Sequence, residues 1–393
     1  MSAMLRYALP VLAAVGAASA QCSSSSTLTI QNAGDASALA SCTTYDGSIA
    51  VATGTTDTIN FASVRSITGD LSISSNNAIT SVGADSLTSI GGTFTVSNCQ
   101  ILSSLSFPQL SSVGNIDFEG LPNLNLLGFT SNIARTGRLN IQNTFLSTLD
   151  GINLQQVNSI YIANNRLLQD ISFQVSNISQ SLILESNGDR LTASFPNLMS
   201  AQNLTFRNVP TLSIPSLHNV SGSLGFYENS ITGLTAPNLT TVGGTLAINT
   251  NTELTNVTMD SLKSITGGLQ VQNNTLLTSV VFPALETVGG ATDMYGNFTQ
   301  VSLPALKDNR GAFNIQSTGD LTDDCATFKA ETGSSNVIKG KYTCAGKVAN
   351  PGGAGTTPSS SASTGTKKSD AQTIGYSPAN TFVGVLAVIL GLW

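Results

Sequence analysis

The most constraining feature of this sequence is a short phrase that occurs twelve times between Leu71 and Phe313. Each copy has an apolar residue, any residue and a second apolar residue, and an asparagine usually follows within a few positions. The copies are 20 to 23 residues apart, and one more begins at Ile49, 22 residues upstream of Leu71. Because repeats of this length are single supersecondary units that stack on one another, the sequence predicts a solenoid. The twelve copies begin at Leu71, Phe94, Ile116, Leu139, Ile160, Leu182, Leu204, Leu224, Leu246, Leu269, Thr292 and Phe313.

The composition of one repeat indicates strands and tight corners. Leu71 and Ile73 lie on one side of an extended segment and Ser72 on the other, which is the period-2 pattern of a strand. A second apolar cluster and a Gly-Gly corner complete the repeat, and no room remains for a strand and a full helix. We therefore expect an all-β, parallel solenoid of about thirteen coils. A β-sandwich also uses many short strands, but it would not keep one period over so long a stretch.

The recurring asparagine is predicted to turn the chain and to bond backbone groups of the neighbouring coil. It lies four or five residues after the first apolar residue in ten of the twelve copies. Among the departures from the phrase, the copy at Ile116 lacks the asparagine, and the copy at Thr292 has a polar residue in the first apolar position. The ten asparagines are Asn76, Asn98, Asn143, Asn164, Asn187, Asn208, Asn229, Asn251, Asn274 and Asn297.

Both ends of the chain have the composition of sorting signals. Residues 1–20 combine a basic start, an apolar core and small residues before the predicted cleavage, which is typical of a secretory signal peptide. Residues 382–393 form an apolar run of 12 residues that is short for a membrane span. Small residues and a polar spacer precede this run, as in a signal for a glycosylphosphatidylinositol (GPI) anchor. Ser369 is our predicted anchor (ω) residue, with Asp370 and Gly365 as alternatives.

These signals divide the chain into four predicted parts. Residues 1–20 are the signal peptide and residues 21–345 the solenoid with its caps. Residues 346–369 are rich in Ser, Thr, Gly and Pro and are predicted to be a stalk, since such a segment cannot bury a core. Residues 370–393 are the propeptide removed during anchoring. The expected location is the outer leaflet of the plasma membrane, the cell wall, or both.

Charge limits the kinds of molecule that the chain is expected to bind, and Asn-x-Ser/Thr sequences predict where it carries glycans. Charged residues make up 10% of the chain and the net charge is −6, which argues against binding nucleic acid. Seven Asn-x-Ser/Thr sequences occur, all of them after Ser176, and secretion would allow their use. We expect glycans on six of them: Asn177, Asn203, Asn219, Asn238, Asn256 and Asn273. Asn297 is expected to be unmodified, because a corner asparagine would need its amide buried.

Four of the five cysteines bracket the ends of the predicted solenoid. Cys22 with Cys42 and Cys325 with Cys344 would each close a loop of about 20 residues, which stabilises by roughly 3 kcal/mol in the chain-entropy account. Terminal coils expose their core and need lids. Segments 35–41 and 322–331 are predicted to be short helices that serve as these lids. Cys99 is left over and is expected to be a buried small side chain.

A catalytic role finds little support in the residues. The chain has one histidine, His218, which makes a histidine-based triad or a multi-histidine metal site nearly impossible. Asp117 and Glu119 lie two residues apart on one predicted strand, at roughly 6.7 Å, within the range of inverting glycosidases. No tight acidic cluster forms around them, so a solvated acidic patch is the better interpretation. We expect no catalytic residue, metal ligand or cofactor.

The outward side of the same strands offers a candidate ligand face. Tyr161, Arg207, Tyr227 and Tyr295 are predicted to point outward from it. Exposed Tyr and Arg on a rigid sheet can bind a glycan or a protein. Tyr is also common on strands for packing alone, so both interpretations stay open.

The assembled pattern resembles a known family. The signal peptide, the flanking cysteine pairs, repeats such as Leu269-Gln270-Val271-Gln272-Asn273-Asn274 and Val281-Phe282-Pro283-Ala284-Leu285, the stalk and the anchor signal are similar to fungal GPI-anchored cell-wall organisation proteins of the extracellular-mutant and sporulation-specific family. Their repeats resemble receptor L domains, which are leucine-rich-repeat-like right-handed β-helices.

The resemblance implies a non-enzymatic, glycosylated surface protein that supports organisation and integrity of the fungal cell wall. Its implied partners are wall polysaccharide and, through the anchor, the plasma membrane. Two other functions remain as alternatives: a receptor-like module that binds a glycan or protein on its strand face, and a wall-polysaccharide hydrolase or lyase.

Overall fold

The computed structural model describes residues 22–356, and these residues wind into a parallel β-solenoid. Each coil contributes strands to as many as three faces, which we name A, B and C. The register is regular: Leu246 lies between Leu224 of the preceding coil and Leu269 of the following one. All strand pairings among the described residues are parallel, which confirms the solenoid and excludes an antiparallel sandwich. Among the same residues no helix is long and apolar enough to cross a membrane.

Face A is formed by the repeated phrase itself. Its strands are Leu28–Ile30, Ile49–Val51, Leu71–Ser74, Ser89–Ser97, Ser112–Leu121, Arg138–Thr144, Ile152–Ala163, Asn177–Glu185, Ser200–Arg207, Leu224–Tyr227, Leu246–Asn249, Leu269–Gln272, Thr292–Gly296, Phe313–Ser317 and Tyr342–Ala345. The longer strands among them begin on face B and bend into face A. Face B precedes face A along each coil and joins the same sheet. Its separate strands are Thr44–Tyr45, Ser66–Ile67, Ile133–Arg135, Asn219–Val220, Thr241–Val242, Ser264–Ile265, Thr287–Val288 and Asp308–Asn309.

Face C follows the corner after face A and consists of four short sheets. Its strands are Ile59–Asn60, Ser81–Gly83, Ser104–Ser106, Asp170–Ser172, Thr192–Ser194, Thr211–Ser213, Gly233–Thr235, Asn256–Thr258, Ser279–Val281 and Gln300–Ser302. The core between the faces is made of the alternate apolar side chains that the phrase predicts. Aromatic rings stack within it from coil to coil; Phe94, for example, meets Phe118 of the next coil at 5.2 Å between ring centroids. This burial drives the stacking, since one coil cannot hide its apolar side alone.

Disulfide-closed caps cover both ends, as the sequence predicted. Cys22 is bonded to Cys42, and Cys325 to Cys344. The first cap contains an α-helix, Ala33–Ala38, continued by the 3₁₀ turn Leu39–Ser41. The second contains the α-helix Thr322–Ala330 and the 3₁₀ turn Gly333–Ser335, and its Phe328 packs on Phe313 of the last coil at 5.0 Å between ring centroids.

The recurring asparagines occupy two different positions, which the sequence analysis had merged. One group lies at the bend itself with positive φ: Asn98 (53°), Asn143 (53°), Asn164 (56°) and Asn208 (52°). Asparagine tolerates this left-handed backbone better than most residues. The prediction that these four bond the neighbouring coil from a buried position was wrong. The other group lies one residue later and points into the solenoid, where it forms the expected ladder.

The ladder uses both ends of each buried amide. Asn251 donates from Nδ2 to the carbonyl of Phe226 at 3.1 Å, and its Oδ1 accepts from the backbone N–H of Asn229 at 2.9 Å. Asn274 Oδ1 in turn accepts from the N–H of Asn251 at 2.9 Å. At the bend, backbone groups lose their hydrogen-bond partners in the sheet, and the buried amides replace those partners. Asn165, which the sequence analysis missed because Asn164 precedes it, belongs to the same ladder.

Cys99 occupies a ladder position in the coil where Asn98 makes the bend. Its side chain is buried and forms no disulfide, as expected. The thiol lies 3.3 Å from the carbonyl of Ser97 and 3.7 Å from the carbonyl of Ile73 in the preceding coil, so it can donate to a backbone group at the place of a ladder amide. Burial raises the pKa of the thiol, which keeps it protonated and able to donate.

The polar residue in the Thr292 copy is also accommodated internally. Thr292 is fully buried, and its hydroxyl donates to Asn309 Oδ1 at 2.7 Å. Asn309 is the next buried polar residue along the chain, and its Nδ2 donates to the carbonyl of Gly311 at 2.8 Å. The departure from the repeat is therefore a matched pair of polar side chains, which avoids an unsatisfied hydroxyl in the core.

The first residues of the predicted stalk are ordered against the solenoid. Segment 346–356 turns back over the last coils of face A, where the N–H of Ala354 donates to Asp293 Oδ1 at 3.0 Å. Gly352 accepts from Asn314 Nδ2 at 3.0 Å and donates to Gln316 Oε1 at 3.2 Å. The predicted signal peptide, the rest of the stalk and the anchor signal lie outside the described residues.

The two asparagine positions make a matched test, because Asn164 and Asn165 are adjacent and lie outside any glycosylation sequence. We expect Asn165→Ala to lower the free energy of unfolding by about 2–4 kcal/mol, because it leaves buried backbone groups of Thr144 and Ile141 unpaired. Asn164→Gly keeps the bend accessible and should cost about 1 kcal/mol or less. Urea unfolding of the secreted solenoid, followed by circular dichroism, measures both. Equal losses would contradict the division into two positions.

Candidate functional surfaces

The outward side of face A holds the candidate ligand residues. Arg207 and Tyr227 lie in adjacent coils, and the guanidinium carbon is 5.0 Å from the centre of the Tyr227 ring. Arg207 also pairs with Glu185 at 3.5 Å on one side and with Glu228 at 2.8 Å on the other. The Tyr227 ring lies over Gly225, where a side chain would collide with it. Arg207 is thus already bonded within the surface, and burial raises the pKa of Tyr227.

The other two candidate residues lie apart from this pair. Tyr161 is half-buried, and burial together with the charges of Glu185 and Glu119 raises its phenol pKa. Tyr295 is three coils beyond Tyr227, close to the terminal segment, which approaches its ring at Gly353. The structure therefore brings Arg207 and Tyr227 together and separates Tyr295 from them. No repeat pattern could have shown the terminal segment here, because its contacts join residues far apart in the chain.

Asp117 and Glu119 point outward from one strand but do not face a shared space. Asp117 Oδ1 accepts from Asn140 Nδ2 of the next coil at 2.5 Å, and Asn140 Oδ1 accepts from Gln142 at 2.8 Å. Glu119 is exposed. In the part of the chain that the structure describes, no three His, Cys, Asp or Glu side chains are placed to hold a metal ion. His218 is exposed on a connection, with Nδ1 3.0 Å from the carbonyl of Asn238.

The seven glycosylation sequences lie on face B, on face C, at corners and at one edge of face A. None of their asparagines is buried. Asn177 and Asn219 are on face B and Asn256 on face C, while Asn203 borders face A. Asn238 lies in a connection. The outward middle of face A thus carries no sequence for N-glycosylation.

The expectation that the amide of Asn297 is buried was wrong. The residue is exposed, and it makes only single bonds: Nδ2 donates to the carbonyl of Thr275 at 2.9 Å, and Oδ1 accepts from Thr318 at 2.9 Å. The buried ladder ends at Asn274, because the chain after Tyr295 turns without a left-handed residue. A glycosylated asparagine keeps one N–H, so a single outgoing bond is compatible with a glycan.

We therefore expect Asn297 to be occupied by a glycan in the secreted protein, like the neighbouring exposed Asn273. Glycopeptide mass spectrometry measures the occupancy of each site. Thr299→Ala is the matched control, because it removes the acceptor sequence and leaves the Asn297 side chain in place. An unmodified Asn297 beside an occupied Asn273 would contradict the prediction.

Comparison with known proteins places the chain in a family. A family model described as "Ecm33: GPI-anchored cell wall organization protein" matches residues 2–40. The chain is 39% identical over 368 residues to the protein ecm33 of Aspergillus fumigatus, and the match covers 92% of each chain. It is 38% identical over 343 residues to a cell surface GPI-anchored protein of Arthroderma benhamiae, covering 87% of each. No solved structure matches the chain significantly.

A third relative gives a match of similar length. The cell wall protein ecm33 of Schizosaccharomyces pombe is 35% identical over 350 residues, which cover 87% of this chain and 82% of that protein. The matched region in each case is long enough to contain most of the solenoid. The chain belongs to the Ecm33 family of GPI-anchored cell wall organization proteins.

Proposed function

We propose that this chain is a non-catalytic, GPI-anchored surface glycoprotein that supports organisation and integrity of a fungal cell wall. The observation that carries the proposal is the use of outward polar groups within the solenoid itself. On face A, Asp117 binds Asn140, Glu185 and Glu228 hold Arg207, and Asp293 binds Gln272 at 3.1 Å. Side chains engaged in this way stiffen the coils rather than converge on a substrate.

Family membership supports the same function. Two of the three relatives are named as a cell surface GPI-anchored protein and a cell wall protein, and none of the three is named as an enzyme. A capped solenoid suits a protein that must stay folded outside the cell. Its disulfides persist there and stabilise the fold, because they constrain the unfolded chain. We infer that the solenoid supports wall organisation through its surface and its position in the wall.

The enzyme alternative predicts that Asp117 and Glu119 are essential. We expect the double variant Asp117→Asn, Glu119→Gln to restore wall function in cells that lack the protein, because both side chains are outward and the amide oxygen introduced at position 117 still accepts a hydrogen bond from Asn140. The free energy of unfolding should change by about 0.5 kcal/mol or less. Growth on wall-perturbing dyes is the readout, with buried Ile248→Asp as the non-functional control. A stable double variant without function would contradict the proposal, and polysaccharide turnover would then separate hydrolysis from binding.

Anchoring is the second part of the proposal. We propose that residues 1–20 are removed on secretion, that Ser369 receives the anchor, and that residues 370–393 are discarded. The apolar run at the end, its polar spacer and the small residues before it support this arrangement.

A chain that ends after Thr356 tests the anchor. It keeps the terminal segment that binds Asp293 and Gln316, so we expect it to be folded and released into the medium, whereas the full chain stays on the cell. Immunoblots of medium and cell fractions measure the distribution. Release of the full chain by phospholipase would place it on the membrane, and release by glucanase alone would place it in the wall. Retention of a folded, shortened chain on cells would contradict a C-terminal anchor.

A further inference from the structure

The widest gap between the four sheets of face C lies between Ser104–Ser106 and Asp170–Ser172, where two successive coils give it no strand. The coil that begins at Leu139 has no strand between Arg138–Thr144 and Ile152–Ala163, and so gives nothing to face C. The strand Ser104–Ser106 on one side of the gap continues only as a single bridge to Leu126. The strand Asp170–Ser172 on the other side pairs with the following coil alone. The gap is therefore a notch across a face that is otherwise a series of stacked strands.

In this coil a turn stands where other coils have a face C strand, and it opens the notch. Asp150-Gly151 reverses the chain early, with Gly151 at a φ of +88° and a carbonyl of Phe129 so near that a side chain could not fit. The resulting cleft has a volume of about 320 Å³. Binding clefts for small ligands begin at about 300 Å³, so the notch has room for a short piece of a polymer but not for a folded domain.

The accessible groups of the cleft are polar, and the apolar side chains beneath them are buried. Leu149 and Ile152 are 5% and 4% exposed, so the apolar side chains of the coil are already packed into the core. The groups that remain accessible are carboxylates, amides and hydroxyls, among them Asp150, Asp170 and Gln174. A peptide added as a strand would need open apolar pockets for alternate side chains, and the floor offers none.

Charge further limits the ligand. Lys and Arg are absent from the residues that line the cleft, and two Asp side chains are present, which disfavours phosphate or other anionic groups. Among the described residues no set of three acidic, His or Cys side chains could hold a metal ion, so a divalent cation is not favoured either. Carboxylates, amides and hydroxyls together suit a neutral molecule with many hydroxyl groups, which both donate and accept.

The distribution of glycosylation sequences supports an open cleft. Every Asn-x-Ser/Thr sequence begins at or after Asn177, so residues 22–176, which include all residues of the cleft, carry none. The nearest, Asn177, starts a strand that enters the sheet of faces A and B, not face C. The chain's own N-glycans would therefore cover the later coils and leave the notch accessible.

We propose that this notch is a binding subsite for a segment of neutral polysaccharide. Asp170 and Asp150 accept hydrogen bonds from sugar hydroxyl groups, and Gln174 donates to them from Nε2. Within the protein, Asp150 Oδ2 already accepts from Thr148 at 2.9 Å and Gln174 Oε1 from Asn197 at 2.9 Å, so Asp150 Oδ1 and Gln174 Nε2 are the atoms directed to the ligand. The proposal rests on the proposed position of the chain in the wall, where such polymers surround it. It gives the solenoid a contact with a ligand on face C, whereas the polar side chains of face A bond to one another.

The test uses the secreted chain that ends after Thr356 and three soluble probes: a β-1,3-linked glucan hexasaccharide, a mannan hexasaccharide and an oligogalacturonate as the acidic control. Isothermal titration and chemical-shift changes measure binding. We expect at least one neutral probe to bind at millimolar concentration and the acidic probe not to bind. Binding of neither neutral probe would overturn the proposal, and so would equal binding of the acidic one.

Residues at equivalent positions in adjacent coils provide matched variants that locate the site. Ser172 lines the notch, and Ser194 occupies the same position on the next coil, outside the notch. Ser172→Trp should weaken binding at least tenfold and Ser194→Trp should not, while both keep the melting temperature of the parent. Asp170→Ala and its register partner Thr192→Ala form a second pair that does not depend on a bulky residue. Equal effects within both pairs would overturn the proposal and leave the wall phenotype, and so the proposed function, untouched.

Discussion

The structure depends on the need of each coil to hide its apolar side against the coils before and after it. A repeat of about 22 residues cannot form its own core, so stability comes from neighbour contacts alone. Every position of the repeat is then matched to the same position in the next coil. A residue that suits one coil must suit its neighbours, which explains why deviations occur in compensating pairs such as Thr292 with Asn309. The two disulfide-closed caps follow from the same constraint, because the first and last coils have a neighbour on one side only.

The period, the strand pattern and the capped ends could be predicted from sequence because they depend on local alternation and on one repeat length. The corner could not be predicted to the residue. A displacement of one position separates Asn164, which makes the bend, from Asn165, whose amide is buried between coils, and both are asparagines. Composition does not distinguish a residue chosen for its backbone from one chosen for its side chain. The same ambiguity led to the wrong expectation for Asn297, where the bend has a different backbone and the amide is exposed.

Contacts between distant segments were also beyond a repeat-based argument. The glycine-rich composition of segment 346–356 indicates a chain without its own core. Its order comes from side chains of the solenoid: Asn314, Gln316 and Asp293 offer hydrogen bonds to its backbone. Glycine permits this close approach because it has no side chain to separate the two backbones. The candidate ligand face was likewise only partly predictable, since outward direction follows from alternation but the ion pairs of Arg207 depend on which residues the register places beside it.

A regular solenoid has a particular consequence for recognition. Where coils repeat faithfully, outward polar groups meet the same column of the next coil and bond to it, as Asp117 does with Asn140. Such a surface is satisfied by itself and has little to gain from a ligand. Concave space opens where a coil departs from the repeat, as it does at the turn Asp150-Gly151. In a rod of stacked coils, irregular coils are therefore the natural places to look for specificity, and the regular ones supply length and stiffness.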